Sequence, residues 1–231
     1  MSYVFPPAAP ISLAITGTDQ RLPVNRVFCV GQNYAKHAQE MGSSGREAPF
    51  FFMKPARSVV PVTEGERAAV PYPTGTQSLH HEVELVVVIG QAGHQVSAAD
   101  APSLVYGHAV GLDLTRRDLQ AALKEKGRPW EVAKAFEASA PIGPVTPLAQ
   151  TGWLSNAPIR LSVNDQCRQN GSIDDMIWPV ADIIAQLSQH WHLQPGDLIF
   201  TGTPEGVGAV VRDDVLQAEV GGLTTLNIRL V

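Results

Sequence analysis

The sequence predicts an α+β fold built on a curved, barrel-like sheet with few short helices. Three observations point there. Residues 80–90, His-His-Glu-Val-Glu-Leu-Val-Val-Val-Ile-Gly, form a β-branched apolar run ended by glycine, as a buried strand does. Residues 215–220 and 223–230 flank Gly221-Gly222, a hairpin signature. Helical spacing in the last hundred residues is confined to one stretch, where Pro179 sits in the first turn and Val180, Ile183, Ile184 and Leu187 recur on one face. Strands that are not separated by regular helices argue against alternating βαβ units.

The remaining elements follow in order. The first 22 residues are rich in Pro and Ala and read as an extended arm, with an edge strand in the apolar run 11–15. Residues 25–31 are a strand, and Asn33 caps a short helix over 34–41 that Gly42 stops. Residues 50–54 are an aromatic strand closed by Pro55, and 61–75 read as irregular because Pro and Gly punctuate them. Residues 105–114 form another strand. Thr115-Arg-Arg-Asp118 then reads as a capping box opening a helix that Gly127 and Pro129 end. Residues 159–163 and 167–169 flank a turn at Asn164-Asp165, and 193–196 turn into a strand at 197–201. No repeat or low-complexity linker divides the chain. The expected organisation is an arm, 1–22, and a single domain, 23–231.

With 44% hydrophobic residues, the 231-residue chain can bury a sizeable core. Lys and Arg number 17 against 22 Asp and Glu, a formal charge of −5. An acidic chain without a basic block is a poor partner for nucleic acid or an anionic membrane. No apolar run approaches the ~18 residues of a membrane span. Two cysteines, Cys29 and Cys167, fit a reducing compartment, and the N-terminus lacks the features of a secretory signal. A cytoplasmic protein is expected.

Five constellations could carry chemistry. Glu82 and Glu84 lie two apart on a strand and face one space, where like charges need a proton or cation between them; alone, the pair is more readily solvent-facing. Asp113 falls where a strand gives way to a helix. Three carboxylates suit a hard cation such as Mg2+ or Mn2+, and His80 and His81 lack the spacing of a zinc site. His37 and Glu40 share a helix face, so the carboxylate can orient the imidazole as a general base, or the pair is merely exposed. Lys134 sits among apolar residues in a non-helical stretch, where it could stabilise an oxyanion or enolate, or snorkel to the surface. The loop 201–208, Thr-Gly-Thr203-Pro-Glu-Gly-Val-Gly, is not a P-loop, but its amides could hold a carboxylate.

Together and in this order, these pieces resemble the fumarylacetoacetate hydrolase family. They are Val30-Gly-Gln-Asn-Tyr-Ala-Lys-His37-Ala-Gln-Glu40-Met, Phe51-Phe-Met-Lys54-Pro55, His80-His-Glu82-Val-Glu84-Leu, Gly111-Leu-Asp113-Leu-Thr-Arg-Arg117-Asp118, Lys134-Ala-Phe-Glu, Ser162-Val-Asn164 and Thr201-Gly-Thr203-Pro-Glu-Gly-Val-Gly208. They span nearly all of the chain after residue 23 and look like the small branch that cleaves 3-acylpyruvates. The arm and the Pro49-Phe-Phe-Phe stretch resemble members acting on fumarylpyruvate in the breakdown of gentisate-type aromatics.

The resemblance implies a mixed β-roll, with 23–231 as one catalytic domain, and a homodimer. It implies Mg2+ or Mn2+ held by Glu82, Glu84 and Asp113, and a lid carrying His37 and Glu40. Gln32 departs from the pattern, since relatives commonly carry Arg there. The implied reaction is hydrolysis of a small anionic keto acid, fumarylpyruvate, to fumarate and pyruvate. Its residues would be His37 as base, Glu40 orienting it, Lys134 facing the pyruvate enolate, and Gln32, Tyr34, Arg117 and Thr203 binding substrate. The competing readings are oxaloacetate decarboxylation or keto-acid isomerisation on the same scaffold, and a non-catalytic binder of keto acids.

Overall fold

In the computed structural model, residues 2–40 and 47–231 are described. Sheets dominate and helices are short, the longest among the described residues being Val180–His190. The largest sheet runs in the order Phe50–Lys54, Val27–Gly31, Leu198–Phe200, Val83–Ile89, Val105–Leu112, Ala140–Ile142, Val59–Pro61. It is mixed: Leu198–Phe200 is parallel to Val27–Gly31, and Ala140–Ile142 is parallel to Val59–Pro61, while other neighbours are antiparallel. A five-stranded sheet runs Gln166–Ser172, Pro158–Val163, Val215–Val220, Leu226–Leu230, Arg67–Val70. A small sheet joins Thr115–Arg116, Leu79–His81 and Gly208–Val210.

The apolar run of Val83–Ile89 is explained by burial on both faces. Leu85, Val87 and Ile89 pack with Ile159, Leu161 and Ile228 of the five-stranded sheet. Val86 and Val88 face the other way, onto Leu13, Ile15 and Leu22. The N-terminal segment therefore contributes a hairpin, Ser12–Ala14 with Arg21–Pro23, that covers the second face. The predicted helix face is also buried: Val180, Ile183, Ile184 and Leu187 all lie in the core. At the 164–165 turn both residues have positive φ, as a tight hairpin requires.

Several local expectations are corrected. The strand expected over 80–90 is two strands, Leu79–His81 and Val83–Ile89, broken at Glu82. The stretch 61–75 contains the strand Arg67–Val70, parallel to Leu226–Leu230. Thr115-Arg-Arg-Asp118 makes no capping box. Thr115 belongs to a strand and its hydroxyl donates to the Asp113 carbonyl, while Asp118 accepts from Thr76 Oγ1 and the Gln77 amide. Lys134 closes a one-turn helix, Glu131–Lys134, rather than lying in a non-helical stretch. The helix expected over 34–41 is Ala35–Glu40, and Met41 and Gly42 lie outside the described residues. The side chain of Asn33 is spent elsewhere than on a cap: it donates to the carbonyls of Trp178 and Thr201 and accepts from the Trp178 amide.

Candidate active site

The antiparallel register of the two central strands builds the site. Glu84 lies opposite Gly111, and Val83 opposite Leu112. Gly111 is required there, because a Cβ would stand 2.6 Å from Val86 Cγ2 and 2.7 Å from the Phe200 ring. One step beyond the pairing, the Asp113 amide donates to the Glu82 carbonyl at 2.9 Å. Glu82, Glu84 and Asp113 are thereby buried, each with a carboxylate oxygen within 4.8 Å of the others.

Three acids so close need positive partners. Lys134 Nζ lies 2.7 Å from Glu82 Oε2 and 2.7 Å from Asp113 Oδ2. Lys54 Nζ lies 2.8 Å from Asp113 Oδ1, and Arg117 pairs with Glu82 Oε1. Lys54 is itself buried, and its ammonium also donates to the Lys134 carbonyl and to Ser139 Oγ. Against the cost of burial, Lys134, Arg117 and His37 hold the Glu82 carboxyl well below the usual range. Burial also works against the Lys134 charge, but Asp113 and Glu82 outweigh it and raise its pKa.

Glu84 is the exception. Among the described residues no cation pairs with it. Its Oε2 accepts from the Gly202 amide at 2.6 Å. Burial, then Asp113 and Glu82, push its carboxyl well above the usual range. Asp113 Oδ1, by contrast, is met by the Lys54 ammonium at 2.8 Å. The cavity between these groups is about 20 Å³, enough for one water-sized occupant. All-oxygen donors and an acid that no cation pairs with among the described residues fit a hard divalent cation, and the triad can hold one. The histidines of the zinc alternative are engaged elsewhere: His81 Nδ1 bonds Gln169 Oε1, and His80 Nδ1 accepts from Arg117 Nε.

The other expected site residues fall unevenly. Gln32, His37, Arg117, Lys134 and Thr203 line the cavity. Gln32 does so from a left-handed backbone, φ 56, which is strained for a residue with a side chain. Arg117 is committed to Glu82, Gln120 and His80. The Thr203 hydroxyl donates to the Val83 carbonyl and accepts from Gln169 Nε2. Tyr34 is not brought to the cavity: its ring is 1% exposed in the core, and its hydroxyl finds no partner among the described residues. Burial, with Glu84 nearby, raises its pKa. The side chain of Glu40 lies outside the described residues.

Four contributors escaped sequence reasoning. Lys54 carried no role, although it stood in a quoted motif. Phe52 and Trp130 form the apolar wall. Gln169, fully buried, reaches in from the five-stranded sheet. It accepts from the Val83 amide, bonds His81, and donates to Thr203 Oγ1 and the Pro204 carbonyl. One side chain thus ties the strand carrying the acids to the loop that holds Glu84.

A mixed β-roll with a buried carboxylate triad among basic side chains defines an enzyme built around a divalent metal site. The family model described as Fumarylacetoacetate (FAA) hydrolase C-terminal matches residues 26–231. The chain is 44% identical over 182 residues to a fumarylpyruvate hydrolase of Ralstonia sp., covering 79% of this chain and 92% of the relative. It is 42% identical over 206 residues to an oxaloacetate tautomerase of Escherichia coli (strain K12), covering 88% and 92%. A crystal structure of fumarylpyruvate hydrolase from Pseudomonas aeruginosa in complex with Mn2+ and pyruvate superposes with a TM-score of 0.98 at 51% identity, over 100% of this chain and 99% of that one. The chain belongs to the fumarylacetoacetate hydrolase family.

Proposed function

We propose that the protein is a Mg2+- or Mn2+-dependent hydrolase that cleaves the C–C bond of a 3-acylpyruvate, with fumarylpyruvate as substrate and fumarate and pyruvate as products. The observation that carries this reading is the meeting of Glu82, Glu84 and Asp113 in one small cavity with His37 and Lys134 on its wall. The similarity to the fumarylpyruvate hydrolases supports the choice of acyl group.

Glu82, Glu84 and Asp113 would hold the ion, which would supply Lewis acidity to the keto-acid head of the substrate. His37 takes a proton from water, and Glu40 orients its imidazole. The hydroxide adds to the distal carbonyl. The bond to the methylene carbon breaks, its electron pair passing into a pyruvate enolate. Lys134, kept cationic by Asp113 and Glu82, faces the developing negative charge. Arg117 holds Glu82 in place, and the proton that His37 took from water passes to the enolate carbon to give pyruvate, the acyl fragment leaving as fumarate. Gln32 and Thr203 bound the space the substrate occupies.

The same reading takes 1–22 as an arm on one catalytic domain, a homodimer in the cytoplasm, and a role in degrading aromatic compounds. The relatives described as oxaloacetate tautomerases favour a second reading, keto–enol isomerisation of oxaloacetate. That reaction moves protons and needs no attacking water. A panel of fumarylpyruvate, acetylpyruvate and oxaloacetate under one Mg2+ condition separates them. Pyruvate release from fumarylpyruvate supports the proposal, and turnover of oxaloacetate alone sinks it.

A further inference from the structure

We propose that the cavity walled by Phe50, Phe52 and Trp130 is an acyl-chain subsite, and that Arg128 on its rim binds the terminal carboxylate of a dicarboxylic keto acid. This rests on the function proposed above and names its specificity determinant. The cavity at the acids, about 20 Å³, takes one water-sized occupant and leaves no room for a seven-carbon chain. A second cavity of about 410 Å³ adjoins it, and Gln32, Phe52 and Trp130 line both. Among the described residues, another space beside Gln32, toward Trp178, is about 30 Å³ and too small.

The walls suit a flat conjugated chain. Trp130 packs edge-on to Phe50 with ring centroids 5.3 Å apart, and to Phe52 at 6.3 Å. The charges lead to Arg128. Lys54, Lys134 and Arg117 already face the buried acids, and Lys36 is paired with Glu205. Arg128 is exposed and, among the described residues, its guanidinium makes no hydrogen bond or ion pair. Its backbone is held, because its amide donates to the Leu123 carbonyl after Gly127 ends the helix Arg117–Glu125. A planar guanidinium offers two parallel donors to a carboxylate. Glu131 lines the same cavity and opposes an incoming anion, so the balance between the two sets the preference.

The test is calorimetric titration of the Mg2+-loaded protein with 2-oxoheptanedioate and with 2-oxoheptanoate, equal in length and differing in the terminal carboxylate. The wild type should bind the diacid about tenfold more tightly. Arg128→Gln should erase that preference while leaving the monoacid's affinity unchanged, and Glu131→Gln should widen it. The proposal is overturned if the wild type shows no preference, if Arg128→Gln keeps it or weakens both ligands equally, or if neither ligand binds at millimolar concentration. Binding needs no turnover, so failure to release pyruvate from fumarylpyruvate would remove the hydrolase reading and leave this test standing.

Discussion

The Gly202 amide donates a 2.6 Å hydrogen bond to Glu84 Oε2, from a backbone at φ +97 that favours glycine. A Cβ at this position would lie 2.7 Å from Asn33 Cβ, and Asn33 is fixed by its bonds to Trp178 and Thr201. The glycine-rich loop therefore does hold a carboxylate, the protein's own. Gly202→Ala should displace the loop and weaken Mg2+ or Mn2+ binding about tenfold or more, as loss of support to a metal ligand does. Metal titration of the variant checks this, and unchanged affinity would remove Gly202 from the account.

Lys134 bridges Glu82 and Asp113, so Lys134→Met should have two opposed effects. Without metal, the variant should lose about 3 kcal/mol of stability, because buried acids are left without their partner. With metal, the triad is more negative and should bind the divalent ion more tightly, while pyruvate release falls about 100-fold or more. Thermal unfolding with and without Mg2+, set beside turnover, separates the two.

Gln169→Leu removes every bond from the acid-bearing strand and the Thr203 loop to this side chain. The expected loss is about 3 kcal/mol, since the Val83 amide and Thr203 hydroxyl are left buried with fewer partners. Denaturant unfolding measures it. A change below about 0.5 kcal/mol would mean that the side chain only fills space.

His108 is fully buried, and its Nε2 has no partner among the described residues. Burial lowers its pKa from 6.5 to about 4. Above pH 6.5 both folded and unfolded states are neutral and the group has no pH-dependent effect. As pH falls through 6.5 the unfolded chain takes up a proton that the folded protein refuses until about pH 4. The protein should lose up to about 3 kcal/mol across that window from this group alone. His108→Leu should flatten that part of the stability profile, and an unchanged acid slope would contradict the assignment.

The acid triad was legible because the two-residue spacing of Glu82 and Glu84 at a strand start pointed them to one space, although the strand breaks at Glu82, and because the family pattern adds Asp113. Its setting was not. Lys54 reaches Asp113, and Gln169 reaches the Val83 amide and Thr203, from strands distant in sequence, through pairings that no local pattern encodes. Thr115 and Asp118 form a capping box on paper, but the small sheet claims Thr115 and the Thr76 turn claims Asp118. Tyr34 lies within a motif that points toward substrate, yet its ring packs in the core, at a position that precedes the short helix and bridges to Met176. The strand Arg67–Val70 was hidden by the Pro and Gly on either side, since it is stabilised by its neighbour Leu226–Leu230 rather than by its own residues.

The most direct test is pyruvate release from fumarylpyruvate by protein stripped of metal with a chelator and then titrated with Mg2+ or Mn2+, for the wild type and His37→Ala. The account predicts a silent stripped enzyme, activity restored to the wild type by either ion, and a His37→Ala variant that binds the ion yet stays inactive. Full activity in the stripped sample, or near-normal hydrolysis by His37→Ala, would contradict it.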